Sequence, residues 1–338
     1  MSIKFQKSFR SSHFSDPFNG FQPTTHKIEI RKDPLAGDVS RLLTYRAKNL
    51  PPMDHSGWKN SNPPERCPFC PDNLPRLAAR FIHPAAPEGL LHQGEATAMP
   101  NAFPYESLSG VIVMCRAHYL APADFTPQIV ADSLGLATKV FAKLGDRARF
   151  GSVNWNYLMP AGAGLLHPHM QIAAAAAPTR YQAALLSRAR AHARREGELL
   201  NRAYLAAEKK AGERYVGQAG PLHFLAAFAP RAIYDVMALT DDEKGLLDFK
   251  PAQLKALAGG ICKVLAYFQS QNVGSYNLAL HTPLAAGTGL PLMLRLVSRV
   301  TLPPLQADEI NYFEKLHDEN LSYLPPEAVA LGLKAAWR

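Results

Sequence analysis

The sequence predicts an α+β protein made of two related units in tandem, and two observations support this class. Strand-like and helix-like segments follow one another twice in the same order along the 338 residues. The chain also resembles itself without gaps when it is shifted by 123 residues, and the matched glycines and prolines favour an internal repeat. We therefore expect an N-terminal arm at 1–25, a first unit at 26–178, a basic connecting helix at 179–215 and a second unit at 216–338.

Each element of the first unit follows from local periodicity. Apolar and polar residues alternate over 27–31, which is typical of a half-buried strand, and 110–115 is a continuously apolar strand. Apolar residues recur at helical spacing over 127–150. Strand patterns then cover 153–159 and 167–175.

The second unit repeats this order after the connecting segment. A strand at 222–228 precedes a helix at 251–269, and further strands are expected at 276–281 and 290–300. Between the units, residues 180–214 predict one alanine-rich helix that carries much of the basic excess.

Composition restricts the class of protein. A hydrophobic content of 47% and a charged content of 19% are typical of a globular protein, and no apolar run is long enough to span a bilayer. The N-terminus lacks the apolar run of a signal peptide, so we expect a cytoplasmic protein. The net charge of +9 fits a phosphate-rich substrate. Few aromatic residues interrupt the basic helix, which favours a solvated face over a nucleic-acid surface.

The internal repeat separates scaffold from chemistry. Over the 21 positions from 151 to 171, eight residues are identical at the shift of 123. At this shift His167-Pro168-His169-Met170-Gln171 aligns with Leu290-Pro291-Leu292-Met293-Leu294. On this alignment the proline and the methionine persist, while both histidines and the glutamine become leucine. We therefore expect the first unit to carry the active site and the second unit to be structural.

The segment from His167 to Gln171 can support covalent chemistry on phosphorus. Alternation in a strand places His167, His169 and Gln171 on one face. Neutral imidazole is a competent nucleophile near neutral pH. A carboxamide such as that of Gln171 can hold a phosphoryl oxygen, and Gly162 and Gly164 would let backbone N–H groups approach a phosphate.

These residues resemble a known family. His167-Pro168-His169 followed by Gln171 is similar to the signature of the histidine-triad (HIT) superfamily, and specifically of its galactose-1-phosphate uridylyltransferase-like branch, with the related ADP-glucose and dinucleoside-polyphosphate phosphorylases. The likeness runs from about residue 28 to the C-terminus. Further motifs in the same order support it: Arg31-Lys32-Asp33-Pro34, Arg46-Ala47-Lys48, Cys67-Pro68-Phe69-Cys70, Asn101-Ala102-Phe103-Pro104 and Asn156. The resemblance implies two HIT-like domains in tandem, each an antiparallel half-barrel sheet with packed helices.

The resemblance also implies a reaction and its residues. His169 would attack the α-phosphorus of a UDP- or ADP-hexose, expel the sugar 1-phosphate, and hold the nucleoside monophosphate until a second sugar 1-phosphate or inorganic phosphate accepts it. Gln171 would bind the phosphoryl oxygens together with Asn156, Gly162 and Gly164. The other substrate contacts implied are Arg46, Asn101, Phe103, Phe313 and Glu314.

A homodimer and a place in galactose metabolism are also implied by the family. Two alternatives remain open at this point. One is an ADP-sugar or dinucleoside-polyphosphate phosphorylase that uses inorganic phosphate as the acceptor. The other is a non-catalytic, zinc-stabilised nucleotide-binding protein.

Cys67 and Cys70 predict a metal site, because a chain without a secretion signal rarely builds a disulfide framework. A tetrahedral zinc site needs two further ligands. Spacing nominates Cys115 and His118, whereas the resemblance nominates His118 and His167. A strand that continued to His118 would turn Cys115 and His118 to opposite faces. We therefore prefer Cys67, Cys70, His118 and His167, and expect one structural zinc ion.

Departures from the family pattern concern the substrate and a second metal. The family's second phosphate-facing arginine is missing after Arg46-Ala47-Lys48, where Asn49 stands. Met170 stands where uridylyltransferases usually have glycine, and a bulky residue at this position is similar to the phosphorylase branch. Tyr312 replaces a small residue beside Phe313. In the second unit, no histidine follows His281 until His317, so we predict no second metal.

Overall fold

The structure is a computed structural model that describes residues 3–46, 50, 52–84, 86–144, 147–302 and 307–337. Its strands are β1 Gln6–Asp16, β2 Gln22–Lys32, β3 Val39–Leu42, β4 Leu91–Gln93, β5 Ala96–Pro100, β6 Leu108–Val113, β7 Phe150–Tyr157, β8 His169–Ala175, β9 Tyr215–Ala219, β10 Leu222–Ala226, β11 Asp235–Leu239, β12 Ser275–Pro283, β13 Met293–Arg299, β14 Thr301–Leu302, β15 Ala307–Asp308 and β16 Glu319–Ser322. Its α-helices are α1 Ser56–Ser61, α2 Leu74–Leu77, α3 Pro127–Leu144, α4 Arg180–Glu196, α5 Leu200–Ala211, α6 Pro251–Ser270, α7 Tyr312–His317 and α8 Pro326–Trp337.

The strands of both units form one ten-stranded antiparallel sheet. Their order is β4-β5-β6-β8-β7-β12-β13-β11-β10-β9, so each unit contributes five strands in the same arrangement. The halves meet where β7 pairs with β12, in a register that places Asn156 opposite Asn277. The predicted α+β class with two related antiparallel units is confirmed. The two half-sheets are continuous because their exposed edges, β7 and β12, satisfy each other's backbone hydrogen bonds.

Helices α3, α6 and α8 cover one face of this sheet and form the main hydrophobic core. Trp155 and Tyr157 on β7 and Met170 on β8 point into it, as does Tyr276 on β12. Tyr157 and Tyr276 stack with ring centroids 4.7 Å apart, so the two units share this core. Because side chains alternate along a strand, the residues between these positions must lie on the opposite face of the sheet.

The opposite face is covered at its two ends and open in the middle. At the second-unit end, α4 and α5 pack on Leu225 and Met237. At the first-unit end, the segment that contains Phe69 packs on Val111 and Val113. Between these covers, β7, β8 and β12 present polar residues that are only half-buried. This uncovered polar strip is where the candidate site lies.

The basic connecting segment is two helices rather than the one that was predicted. Helix α4 ends at Gly197, whose φ of +72° is a left-handed conformation that glycine adopts without steric cost. Helix α5 then follows from Leu200. Arg190, Arg194 and Lys209 are exposed on these helices. Among the described helices, none is long and apolar enough to cross a membrane.

The N-terminal arm is a regular hairpin, where the sequence indicated only an aperiodic arm. Strands β1 and β2 pair over their whole length, and the order β1-β2-β3-β16 completes a four-stranded sheet. The hairpin turn is set by Asp16, whose carboxylate accepts from the N–H of Phe18, and by Gly20 with φ +59°. Most side chains of β1 are polar, so apolar and polar residues do not alternate along it. The hydrophobic pattern therefore could not predict this strand.

A buried ion cluster joins the root of this hairpin to the rest of the molecule. Arg31 on β2 donates to both carboxylate oxygens of Glu327 on α8, at 2.7 and 3.0 Å. Arg214 donates to the same carboxylate at 2.9 Å and also pairs with the fully buried Glu208 on α5. Buried guanidinium groups need such partners, because a charge without one is strongly destabilising. This cluster therefore fixes the hairpin against α5 and α8.

Candidate active site and metal centre

Cys67, Cys70, His118 and His167 converge into one cluster, in which the candidate ligand atoms all lie within 4.8 Å of one another. The two cysteines occupy a tight turn in which the N–H of Cys70 donates to the carbonyl of Cys67 at 3.3 Å. His118 follows β6 and His167 precedes β8, so neighbouring strands deliver both imidazoles to the cysteine turn.

The cluster geometry fits a tetrahedral ion. Nδ1 of His118 lies 3.3 Å from Sγ of Cys70, and Nδ1 of His167 lies 3.6 and 3.7 Å from the two sulfurs. Zinc bonds of about 2.3 Å to sulfur and 2.05 Å to nitrogen place such atoms about 3.6 Å apart in a tetrahedron. Sγ of Cys115 points away and contacts the carbonyl of Ala117.

Backbone carbonyls orient both imidazoles for metal binding. Nε2 of His167 donates to the carbonyl of Cys115 at 2.8 Å, and Nε2 of His118 donates to that of Asn62 at 2.7 Å. A carbonyl only accepts, so the proton resides on Nε2 and each Nδ1 lone pair faces the sulfurs. Burial lowers the pKa of His167 to about 4 and, with the neighbouring Cys67, raises the pKa of Cys70 to about 12. An uncharged, buried set of this kind suits a cation that would deprotonate the thiols.

His169 begins strand β8 on the polar face of the sheet. Its Nδ1 donates to the carbonyl of His167 at 2.8 Å, which leaves the lone pair on Nε2. The ring packs edge-on against Phe69, with centroids 5.3 Å apart. Burial lowers the pKa of His169, against a smaller opposing effect of the hydrogen bond to His167. The imidazole is therefore held neutral, oriented and available at one nitrogen.

Gln171, Asn154 and Asn156 accompany His169 on the same face. Gln171 lies opposite Asn154 in the β7–β8 pair. Asn156 lies two residues further along β7, and its Oδ1 accepts a hydrogen bond from Nδ2 of Asn277 at 2.7 Å. The predicted alternation is confirmed, because Met170 lies fully buried on the core face. The side chain of Met170 packs against the helices and does not reach the polar face on which His169 lies.

The glycine-bearing loop after β7 is tightly built. Leu158 has φ +66°, which is uncommon for a residue with a branched side chain, and its carbonyl accepts from the N–H groups of Ala161 and Ala163 at 3.1 Å each. Gly162 has φ +88°, and Gly164 is exposed with open space around it. Strain of this kind persists where the surroundings fix the loop, which is common at functional sites.

Two predicted substrate residues of the first unit lie in loops. Oδ1 of Asn101 accepts from the N–H of Phe103 at 2.9 Å, so Asn101 shapes the turn after β5. The ring of Phe103 is 81% exposed and is free to cover a ligand. The guanidinium of Arg46 lies over the ring of Tyr323, 4.9 Å from its centroid. Residues 47–49 of the Arg46 motif lie outside the described residues.

Phe313 and Glu314 lie in α7, in the second unit. Glu314 caps its own helix by accepting from the N–H of Asn311 at 3.2 Å. It also lines a cavity of about 280 Å³ together with Asn277 and Arg299. Arg299 donates to Oδ1 of Asn277 at 3.2 Å, while Nδ2 of Asn277 reaches both Asn156 and the carbonyl of Ala161.

Asn277 thus links the His169 face, the glycine-bearing loop and this second-unit cavity. Sequence reasoning missed the role of Asn277. Its identity with Asn154 in the repeat was an available signal, but it was assigned to scaffold.

The register of the second unit corrects the repeat alignment. Asn154 lies opposite Gln171 in β7–β8, whereas Asn277 lies opposite Val297 in β12–β13. The second hairpin is therefore three residues longer, and the counterpart of His169 is Arg295 rather than Leu292. A shift by an odd number of residues exchanges the faces of a strand, which is why Leu292 falls in the core. Arg295 is buried in a bidentate pair with Asp235, at 2.6 and 3.0 Å.

Comparison with known proteins identifies relatives by sequence and by fold. No family model matches the chain. An uncharacterized protein of Archaeoglobus fulgidus is 28% identical over 313 residues, which cover 92% of each chain.

Solved structures share the fold over almost their whole length. An ADP-glucose phosphorylase from Arabidopsis thaliana, solved with ADP-glucose, superposes with a TM-score of 0.71 at 19% identity, over 91% of this chain and 98% of that one. A GalT-like protein of the same plant gives 0.68 at 18% identity, over 91% and 98%. A uridylyltransferase gives 0.66 at 20% identity, over 91% and 97%. The chain therefore shares the fold of these proteins, as its motifs predicted.

Proposed function

We propose that this protein is a nucleotidylyltransferase that carries a nucleoside monophosphate on His169. The observation that carries the proposal is the hydrogen bond from Nδ1 of His169 to the carbonyl of His167 at 2.8 Å. It fixes the tautomer whose Nε2 can attack phosphorus, on a face that otherwise presents amides and a glycine-bearing loop. A purely structural histidine would not need this polar, partly open surrounding.

The first half-reaction forms one bond and breaks one. Nε2 of His169 would attack the α-phosphorus of a nucleoside diphosphate hexose, forming an N–P bond as the bond from that phosphorus to the bridging oxygen breaks. The hexose 1-phosphate would leave with the electron pair. The imidazole gains positive charge in this step, and the acceptor carbonyl of His167 stabilises the proton that remains on Nδ1. Attack by a phosphate oxygen of the acceptor would then return His169 to its neutral form.

The groups around His169 are suited to the negative charge on the phosphoryl oxygens. The carboxamide of Gln171 would donate to one of these oxygens, because Gln171 lies two residues after His169 on the same face of β8. The exposed backbone at Gly162 and Gly164 has room for close approach of a phosphate. Asn156 is oriented by Asn277, so its own amide is held ready to donate. Together these groups would position the α-phosphate for attack.

We propose zinc as the ion of the Cys/His cluster, held by Cys67, Cys70, His118 and His167. When bound, it would supply a rigid structural link between the cysteine turn and β8. His167 is the shared element, because its side chain would bind the metal while its carbonyl orients His169. The metal would thus support the nucleophile without taking part in the bond changes.

The substrates proposed are a UDP- or ADP-hexose and a hexose 1-phosphate. Asn101 and Phe103 would lie along the base and ribose, and Arg46 would face the phosphates. Phe313 and Glu314 would contact the sugar, which is consistent with the cavity that Glu314 shares with Asn277. Inorganic phosphate as acceptor defines the alternative, a phosphorylase of ADP-sugars or dinucleoside polyphosphates. A nucleotide-binding protein without catalysis is the third candidate.

Intact-mass spectrometry tests the covalent step. Wild-type protein is incubated separately with UDP-glucose, ADP-glucose and Ap4A, and the expected result is a uridylyl or adenylyl adduct on one site. His169→Ala should give none, whereas His92→Gln, an exposed histidine on β4, should label like wild type. Absence of any adduct with all three nucleotides would refute the covalent mechanism and favour the binding protein.

A chase identifies the acceptor. The labelled protein is freed of nucleotide and mixed separately with galactose 1-phosphate, glucose 1-phosphate and inorganic phosphate. Loss of the adduct with a sugar phosphate, and formation of the matching nucleotide sugar, supports the transferase. Loss with inorganic phosphate alone supports the phosphorylase instead.

A further inference from the structure

The outer part of the β1–β2 hairpin projects from the molecule without a third strand. Strand β2 pairs with β3 only from Glu29 to Lys32. Residues 10–28, here called the ribbon, extend beyond that pairing. Seven residue pairs at about 3.4 Å per residue give a ribbon roughly 24 Å long. An isolated two-stranded hairpin is marginally stable in water, so a ribbon of this length is expected to gain a partner.

The outer edge of the ribbon is unprotected. Strand β1 is eleven residues long and pairs with β2 without a bulge. It contains no proline, and every residue except Asp16 is exposed. Natural sheets usually block such edges with prolines, bulges or very short strands. The free N–H and C=O groups of β1 are therefore available to pair with another strand.

The ribbon also exposes aromatic surface. Phe18 and Phe21 at the turn are 99% and 70% exposed, and Phe9 and Phe14 on β1 are 52% and 39% exposed. At about 200 Å² for each fully exposed ring, this amounts to roughly 500 Å² on one chain. Pairing with a second copy would cover part of this aromatic surface together with the backbone edge of β1.

We propose that the ribbon pairs edge to edge with the ribbon of a second copy of this chain. The two β1 strands would run antiparallel about a two-fold axis at His13. A residue three positions before His13 in one copy then lies opposite the residue three positions after His13 in the other. Arg10 then lies beside Asp16 of the partner subunit, and the reciprocal pair forms as well. Arg10 has no ion-pair partner within the described part of the chain. Two other cations of the hairpin are engaged within the chain, since Lys7 pairs with Glu29 and Lys27 covers the ring of Phe9.

Charge reversal at Arg10 in the full-length protein tests this interface. Sedimentation velocity over a range of protein concentrations should show a dimer for wild type. Arg10→Glu should raise the dissociation constant about tenfold or more, because it sets two like-charged pairs across the axis. Arg10→Lys keeps the positive charge beside Asp16 of the partner subunit and leaves the Asp16 turn cap intact, so it should retain wild-type affinity to within about threefold. A monomeric wild type, or a dimer that Arg10→Glu leaves unchanged, would overturn the proposal.

Cysteine crosslinking locates the axis independently of affinity. His13→Cys places two thiols opposite each other at the two-fold, so mild oxidation should give a covalent dimer on a non-reducing gel. Thr25→Cys is the matched control, because Thr25 pairs with His13 from the inner strand and lies one strand further from the axis. Equal crosslinking of both variants, or none with His13→Cys, would contradict the edge-to-edge arrangement.

Discussion

Replacing Glu327 by glutamine should destabilise the protein by about 3 kcal/mol at neutral pH. Burial alone would raise the pKa of Glu327, but the hydrogen bonds and charges of Arg31 and Arg214 outweigh it and lower that pKa from 4.5 to about 2. At about 1.4 kcal/mol per pKa unit, this corresponds to about 3 kcal/mol of interaction with the charged form. The carboxylate is 27% exposed, so solvent screens it only in part.

The pH dependence gives this prediction its sign. A carboxylate whose pKa is lower in the folded state stabilises the fold above its unfolded pKa, near 4.5. This contribution is lost as the pH falls towards 2, and about 1.4 kcal/mol should remain at pH 3. The difference in free energy of unfolding between wild type and Glu327→Gln, measured by urea denaturation, should therefore fall by about half between pH 7 and pH 3.

Asp318→Asn provides the control for this experiment. Asp318 forms an exposed surface pair with Arg180 and has φ +58°, which asparagine also adopts readily. Its removal should change the stability by less than about 0.5 kcal/mol at either pH. A difference for Glu327→Gln below 1 kcal/mol at pH 7, or one that does not vary with pH, would refute the reasoning.

Three further predictions concern the site. Zinc near one ion per chain should be lost in Cys67→Ser and kept in Cys115→Ser when measured by elemental analysis; loss in Cys115→Ser would contradict the ligand set. Met170→Gly should cost about 4 kcal/mol in urea denaturation, because it empties a fully buried core position, while nucleotide affinity is unchanged. Asn277→Ala should slow adduct formation about tenfold in single-turnover labelling, because Asn156 and the glycine-bearing loop lose hydrogen bonds; an unchanged rate would contradict this role.

Local patterns in the sequence predicted the features that depend on short stretches of chain. Alternation placed His169 and Gln171 on one face of β8, opposite Met170, and the structure confirms this. The four residues of the metal cluster were also selected correctly. For that set, the family resemblance supplied His167, which spacing along the chain could not nominate. The cluster forms because neighbouring strands bring distant segments together.

The missed features depend on how strands align with one another. The residue of the second unit that corresponds to His169 depends on the length of the β12–β13 hairpin. A gapless alignment of the two units cannot detect that this hairpin is longer. Continuity of the two half-sheets through β7 and β12 is likewise a property of edges that lie far apart in the sequence. The break between α4 and α5 was the exception, because Gly197 followed by a new apolar start was a readable signal.

The corrected register gives a chemical reason why the fold would need only one reactive unit. His169 offers a neutral nitrogen lone pair, whereas Arg295 at the matching position is permanently protonated and cannot act as a nucleophile. The bidentate pair with Asp235 also fixes Arg295 in the sheet, where a mobile cation would disturb the core. What the second unit contributes to the site is then Asn277, which reaches across the β7–β12 junction to Asn156 and to the glycine-bearing loop. Because that junction is a continuous antiparallel pair, the second unit can orient the first only while both remain in one sheet. Separating the units would therefore remove this support of the candidate site and divide the shared core.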